Sequence, residues 1–169
     1  TEVLTGVAEV ALGRYHFVVA RTDGTAWTWG DNSSRQLGDG TTTSRSTPGQ
    51  VSGLASTTHV AAGATWSMAI AGGAAYGWGE NGWGQIGDGS TTDRGLPTAV
   101  PTLVGGTTLE CGDNHSLARA ADGAALGHGN NGYGQLGDGT TTSHSTPATI
   151  PGLSGIVSIS GGQNHSLAM

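Results

Sequence analysis

The chain has 169 residues, 32 of them glycine, and its twelve acidic residues against six basic ones give a formal net charge of -6. All six basic residues are arginines scattered along the chain, which argues against a nucleic-acid surface, because such surfaces need clustered cations. No apolar stretch of about 18 residues occurs, so we predict no membrane partner, and the single Cys111 excludes an internal disulfide and a CxxC metal site.

Short apolar runs in the first third of the chain predict β-strands. In chain order they lie near Val7–Leu12, His16–Arg21, Ala26–Trp29 and Gln50–Leu54, and Gly, Asp-Gly and Thr-Pro punctuation separates them. No window of a dozen residues sustains helical apolar spacing free of glycine. The sequence therefore predicts an all-β chain with four strands in each structural unit.

This pattern recurs about every 50 residues. The most regular markers are four glycines at intervals of 50, 49 and 50 residues: Gly13, Gly63, Gly112 and Gly162. A four-stranded unit of this length is typical of a β-propeller blade, which buries its faces only by stacking on its neighbours. We predict antiparallel four-stranded blades, about three and a half per chain.

The predicted repeat boundaries follow from these markers. Residues 1–6 are the tail of a preceding repeat, and 155–169 hold the first two strands of a fourth. The complete repeats span 7–55, 56–104 and 105–154.

Together these motifs carry a family resemblance. Each repeat joins a Gly-x-x-His-Ser-Leu-Ala run, a Trp-Gly pair, an Asn-x-x-Gly-Gln-Leu-Gly-Asp-Gly-Thr segment and a later proline. The combination resembles the regulator of chromosome condensation repeat family over essentially the whole chain. The resemblance implies a seven-bladed propeller, but its members serve nucleotide exchange on the GTPase Ran, chromatin binding, ultraviolet-B perception or β-lactamase inhibition.

The hexapeptides GYGQLG at 132–137 and GWGQIG at 82–87 match the pattern of a dinucleotide-binding loop. Such a loop needs a helix after it, whereas glycine, threonines and a proline follow here. We interpret both segments as turns and predict no cofactor.

The repeated polar residues indicate architecture. The Asp-Gly pairs at 39, 88 and 138 are typical of turns, and Trp66 takes a position that His16 and His115 fill in other repeats, which a metal site would not tolerate. We therefore predict no metal ligands, no catalytic residues and no enzymatic activity. His128 replaces Trp29 and Trp78 at a framework position, a change expected to loosen the third repeat.

Positions that vary between repeats are the candidates for partner binding. They follow the repeated glycine or lie within the GQLG loop, and in a propeller the loops after the glycine gather on one face. Trp83 and Tyr133 resemble interface anchors, the alternative being rings that cap the adjacent blade. The full candidate set is Arg14, Tyr15, Thr65, Trp83, Asp113, Asn114, Tyr133, Gln163 and Asn164.

The sequence favours a non-enzymatic protein-interaction scaffold whose partner it does not name. Guanine-nucleotide exchange, chromatin association, inhibition of a secreted enzyme and a lectin are the alternatives. Because the chain is too short for seven blades, we expect either a homo-oligomer, such as a dimer that closes the propeller, or a fragment of a longer chain. The lysine-free composition suggests a bacterial protein, secreted or at the cell surface.

Overall fold

A computed structural model describes residues 4–104 and 108–169. Residues 1–3 of the predicted tail, and position 105, where the third repeat is predicted to start, lie outside this description. The strands are β1 Val7–Leu12, β2 His16–Arg21, β3 Ala26–Gly30, β4 Arg45–Gln50, β5 Thr57–Ala62, β6 Trp66–Ala71, β7 Ala74–Gly79, β8 Arg94–Val104, β9 Thr108–Cys111, β10 His115–Arg119, β11 Ala125–Gly129, β12 His144–Thr149, β13 Ile159–Gly161 and β14 Ser166–Ala168.

These strands form antiparallel sheets in chain order. Three sheets contain four strands each, β1 to β4, β5 to β8 and β9 to β12, and β13 pairs with β14 in a fourth. The described residues contain no helix. The all-β prediction with four-stranded blades is therefore confirmed, whereas the number of blades in a closed ring and the repeat boundaries stay predictions.

The fourth strand of the first repeat lies elsewhere than the sequence suggests. We predicted Gln50–Leu54, but the outer strand is Arg45–Gln50. Val51 and Leu54 are buried in the connection to the next sheet, so their apolar character marks packing and not a strand. Pro48 fits the outer edge of a sheet, where a missing N–H breaks no ladder bond.

Apolar side chains between neighbouring sheets form the core. Val18 and Ala20 of the first sheet pack with Val60 and Trp78 of the second. One interface further on, Met68 of the second sheet packs with Leu109 of the third in the next cluster. Because each cluster draws on two sheets, stacking supplies burial that a lone sheet lacks.

Buried side chains also bond one sheet to the next. The Ser67 hydroxyl donates to the Gln36 carbonyl at 2.9 Å and lies 2.9 Å from Nε2 of His16. Because the serine proton goes to the carbonyl, the His16 ring carries its proton on Nε2. Ser166 repeats the arrangement with Gln135 O at 2.7 Å and His115 Nε2 at 3.0 Å.

The repeated glycines, which directly follow the first strand of each sheet, allow neighbouring sheets to approach closely at that point. A Cβ atom on Gly63 would lie 2.8 Å from the carbonyl oxygen of Gly112, and one on Gly13 would lie 2.7 Å from that of Gly63. Any side chain larger than hydrogen would push neighbouring sheets apart.

We expect Gly63→Ala to lower the free energy of unfolding by about 1–3 kcal/mol, because the added methyl group overpacks the junction of two sheets. The matched control is Gly82→Ala, since a Cβ there meets nothing within 4 Å. Urea unfolding of both variants measures the difference. Equal losses would contradict the packing role of Gly63.

A second prediction concerns acid. Burial lowers the pKa of His16, His115 and His128 to about 4, so all three rings are neutral in the folded protein near pH 7. In the unfolded chain the three histidines are protonated below about pH 6.5, whereas in the folded chain they stay neutral until about pH 4. Stability should therefore be constant above this window and fall as the pH drops through it, by up to about 3 kcal/mol for each histidine.

Urea unfolding at several pH values tests this slope. His16→Trp is the matched variant, because Trp66 occupies the same position in the second sheet. The variant should show a shallower loss of stability between about pH 6.5 and pH 5 than the parent chain. An unchanged slope would mean that His16 does not resist protonation.

Candidate functional site

Two sets of loops meet at one end of the stacked sheets, and we call this surface the loop face. The short loops after the repeated glycines join the first two strands of each sheet, and longer loops join the third strand to the fourth. Backbone bonds tie each long loop to its short one, with the Asp31 amide donating to Tyr15 O at 2.9 Å and the Asn130 amide to Asn114 O at 2.8 Å. The short loops are 13–15, 63–65, 112–114 and 162–165, and the long loops are 31–44, 80–93 and 130–143.

A buried asparagine fixes each long loop. The Asn81 side chain donates to Ser90 O and Thr92 O at 3.1 Å each, and its own oxygen accepts from the Ile86 amide at 2.9 Å. Asn32 and Asn131 make the corresponding bonds in the other two long loops. Because these side chains satisfy backbone groups that no strand pairs, long irregular loops keep a defined shape.

A carboxylate closes each of these loops onto its outer strand. The Thr140 amide and the His144 ring hold the pKa of the Asp138 carboxyl well below its usual range. Burial opposes ionisation of Asp88, but hydrogen bonds from Ser90 and Arg94 outweigh it and lower the pKa of that carboxyl. The aspartate of each Asp-Gly pair thus binds the long loop to the fourth strand of the same sheet, in line with the interpretation of these pairs as turns.

The GQLG segments are turns as well. Gly84 and Gly134 both have a φ of 75°. Arg35 holds the same repeat position with a φ of 67°, so the first repeat adopts the left-handed conformation without glycine. No helix begins after any of these turns in the described residues.

Three exposed rings stand out on the long and short loops. Tyr15 is 71% exposed, Tyr133 79% and Trp83 49%. The backbone beneath two of them is held, because the amides of Trp83 and Tyr133 each donate to a buried glutamine side chain at 2.9 Å. Large rings on fixed backbone offer contact area with little ordering cost on binding.

The short loops contribute charged side chains to the loop face. Arg14 of the first sheet and Asp113 of the third form an ion pair at 2.7 Å across the second sheet, where the corresponding residue is the small Ala64. Glycines, Arg14 and Asp113 line a shallow cavity of about 320 Å³ beside this pair. The Thr65 hydroxyl bonds the Glu80 carboxylate close by.

The predicted binding residues therefore share one face. Asn114 lies beside Asp113, and Gln163 and Asn164 are exposed in the short loop of the fourth sheet. Sequence comparison of the repeats missed Glu80, which joins a short loop to a long one. Its signal was present, because Asp31, Glu80 and Asn130 differ at one repeat position directly after the Trp-Gly or His-Gly pair. Whether these residues bind a partner stays a prediction.

Two further properties concern the described residues alone. They contain no group of three or more His, Cys, Asp or Glu side chains placed to hold a metal ion. No helix within 4–104 and 108–169 is long and apolar enough to cross a membrane.

Solved structures of propeller proteins are similar to this chain. Yeast RCC1 (Prp20), solved bound to Kap60, matches with a TM-score of 0.85 and 20% identity over 100% of this chain and 43% of its own. Human WBSCR16 matches with a TM-score of 0.83 and 23% identity over 96% of this chain and 44% of its own. This chain therefore spans less than half the length of either protein, and at these identities the likeness shows the fold.

Other matches bear on activity. Prp20p from Saccharomyces cerevisiae, described with its binding to Gsp1p and histones, has a TM-score of 0.80 and 21% identity over 98% of this chain and 44% of its own. Ras guanine nucleotide exchange factor C from Dictyostelium discoideum is 51% identical over 35 residues, which are 21% of this chain and 2% of that protein.

These matches correct one prediction. We predicted from the sequence that the chain is not an enzyme, and this is wrong: a matched stretch of sequence belongs to an exchange factor, and the fold is that of RCC1. Exchange factors are catalysts that need neither a cofactor nor a nucleophile, so the absence of such motifs from the sequence did not exclude this activity.

The family model of the Regulator of chromosome condensation (RCC1) repeat matches residues 23–70, 72–119 and 122–169. A second model of the same repeat matches 7–36 and 107–135. Each match in the first set begins near the third strand of one sheet and ends in the second strand of the next, so it spans the interface between two blades. With most of its length covered by these matches, the chain belongs to the RCC1 repeat family.

Proposed function

We propose that this chain is the partner-binding part of an RCC1-type propeller and that it promotes guanine-nucleotide exchange on a small GTPase of the Ras superfamily. The observation that carries the proposal is the convergence of exposed rings on fixed loops at one face. The short match to a Ras exchange factor supports the choice of GTPase class.

The geometry suits catalysis by binding alone. An exchange factor accelerates nucleotide release by stabilising the nucleotide-free GTPase more than the nucleotide-bound form. That differential requires a surface that does not deform on contact, and the buried Asn81 and Asn131 hold the long loops in one shape. Trp83 and Tyr133 then serve as anchors, the residue types that dominate interface energies.

The acidic net charge of the chain favours a protein partner over DNA. The chain carries a net charge of -6, and Arg14 and Arg45 are engaged by carboxylates at 2.7 and 3.3 Å. Contact with a phosphate backbone needs free cations, so a protein surface is the partner that the loop face favours over DNA.

A second surface supports association with a further blade. Val10 and Leu12 on the first sheet are 51% and 65% exposed, whereas Val60, which corresponds to Val10, is buried. On the same sheet Phe17 stacks on Trp29 with ring centres 4.8 Å apart. We propose that another propeller blade covers this apolar face, supplied by a second copy or by further chain.

Release of a fluorescent GDP analogue from a panel of Ras-superfamily GTPases tests the exchange proposal. Catalytic amounts of the chain should accelerate release from at least one GTPase. The double variant Trp83→Ala and Tyr133→Ala should reduce the rate at least about tenfold, because interface anchors of these types contribute about 2 kcal/mol or more each.

The control is Val157→Ala, since Val157 is 70% exposed at the opposite end of the sheets. It should exchange nucleotide at the parent rate. No acceleration with any GTPase would refute exchange, whereas acceleration that survives the double variant would refute the loop face as its site.

Sedimentation equilibrium tests the covered face separately. We expect the chain to self-associate at micromolar concentration and Phe17→Ser to weaken this association, because a polar residue then interrupts the apolar contact. A folded parent chain that stays monomeric would refute coverage by a second copy. Leu96→Ser, an exposed site on β8, is the control that should leave the association unchanged.

A further inference from the structure

The second sheet is joined to the first through Trp78, whose indole lies in a narrow space against Gln36 and Gly38 of the first sheet, and we call this space the tryptophan slot. Trp78 is fully buried and its Nε1 donates to the carbonyl oxygen of Gln36 at 2.9 Å. Gly38 closes the slot, and a Cβ atom there would lie 2.8 Å from Nε1 of Trp78. The indole thus fills the space between two sheets and bonds them at once.

His128 occupies the same slot between the second and third sheets. It is fully buried, and a Cβ atom on Gly87 would lie 2.5 Å from its Nε2. Within the described residues neither ring nitrogen of His128 has a hydrogen-bond partner. A neutral imidazole carries one N–H, so the folded protein buries a donor that no acceptor meets at good hydrogen-bond geometry.

The described residues bond this interface differently from the first, and one of its bonds joins His59 Nε2 to the Leu109 carbonyl at 2.8 Å. His16 bonds Ser67 of the next sheet at 2.9 Å, whereas the second sheet has Trp66 in that position. Trp66 donates to Asp113 O at 3.1 Å, and Ser116 alone reaches the Gln85 carbonyl at 2.6 Å. Within the described residues this interface therefore lacks the ring-to-serine bond, and His128 makes no counterpart of the bond from Trp78 to the Gln36 carbonyl.

We infer that the interface between the second and third sheets is acid-sensitive: protonation of His128 separates these two sheets before the interface between the first and second sheets opens. A second proton would place a full charge in a slot built for an apolar ring, which is costly without a partner. Their separation would move the long loop that carries Tyr133 relative to the one that carries Trp83, so acid would change the spacing of the loop face. This inference does not depend on the identity of the partner.

The groups around His128 compensate for the charge only in part. From the second sheet the backbone of Ile86 and Gln85 favours the charged ring. Burial and the repulsion from His115 on the neighbouring strand β10 outweigh this support. The nearby Asp88 carboxylate is already engaged by Arg94 at 2.6 Å. Burial accordingly lowers the pKa of His128 to about 4.

Hydrogen exchange read by mass spectrometry tests this inference on the intact chain. Between neutral pH and about pH 5, amides in 85–89 and 126–131 should lose protection at least about tenfold more than those in 36–38 and 77–79, after correction for intrinsic rates. His128→Trp should abolish this difference, because the indole can donate to the Gln85 carbonyl as Trp78 does to that of Gln36.

The reciprocal variant is Trp78→His, which moves the histidine slot to the interface between the first and second sheets. It should increase the acid-dependent exchange in 36–38 and 77–79 above the level that His16 already causes in the parent chain. Near-ultraviolet circular dichroism at neutral pH establishes that each variant is folded.

Acid-induced exchange that persists in His128→Trp would overturn the inference, as would first opening at 36–38 in the parent chain. If His128→Trp does not fold, Trp78→His decides alone: protection of 36–38 and 77–79 equal to that of the parent at about pH 5 would overturn it.

Discussion

The structure depends on one recurring bond, in which a side chain of one sheet donates to a backbone carbonyl within the long loop of the sheet before it. The Gln36 carbonyl accepts from both Ser67 and Trp78 at 2.9 Å. No sheet can bury its faces alone, so these contacts decide whether the stack exists at all. The glycine positions follow from the same constraint, because Gly63 must lie against the Gly112 carbonyl.

The residues that join neighbouring sheets also hold the loops of the loop face in position. Gln36, whose backbone accepts those bonds, uses its side chain to accept from the Ser34 amide at 2.8 Å, and Gln85 holds Trp83 in the same way at 2.9 Å. The residues that join two sheets therefore also fix the loops above them. A change between sheets would therefore also move the loops, so the proposed opening at His128 would shift Tyr133 relative to Trp83.

Some predictions from the sequence agree with the structure and others do not. The strand ending near Trp29 was predicted correctly, because residues there alternate between a buried face, with Ala26, and a half-buried face with two tryptophans. The outer strand was misplaced, since β4 is rich in polar residues and proline and gives no apolar pattern. The prediction that the chain is not an enzyme was wrong, because exchange factors such as the matched one act through a binding surface and leave no catalytic motif in the sequence.

Sequence alone determined the repeat, its all-β character and the turn chemistry of the Asp-Gly and GQLG segments, because these follow from local conformational preferences that recur about every 50 residues. Only the tertiary structure placed Arg14 within 2.7 Å of Asp113 and left both nitrogens of His128 without partners. Such contacts join residues of different sheets, and their geometry arises from the angle and spacing at which whole sheets stack.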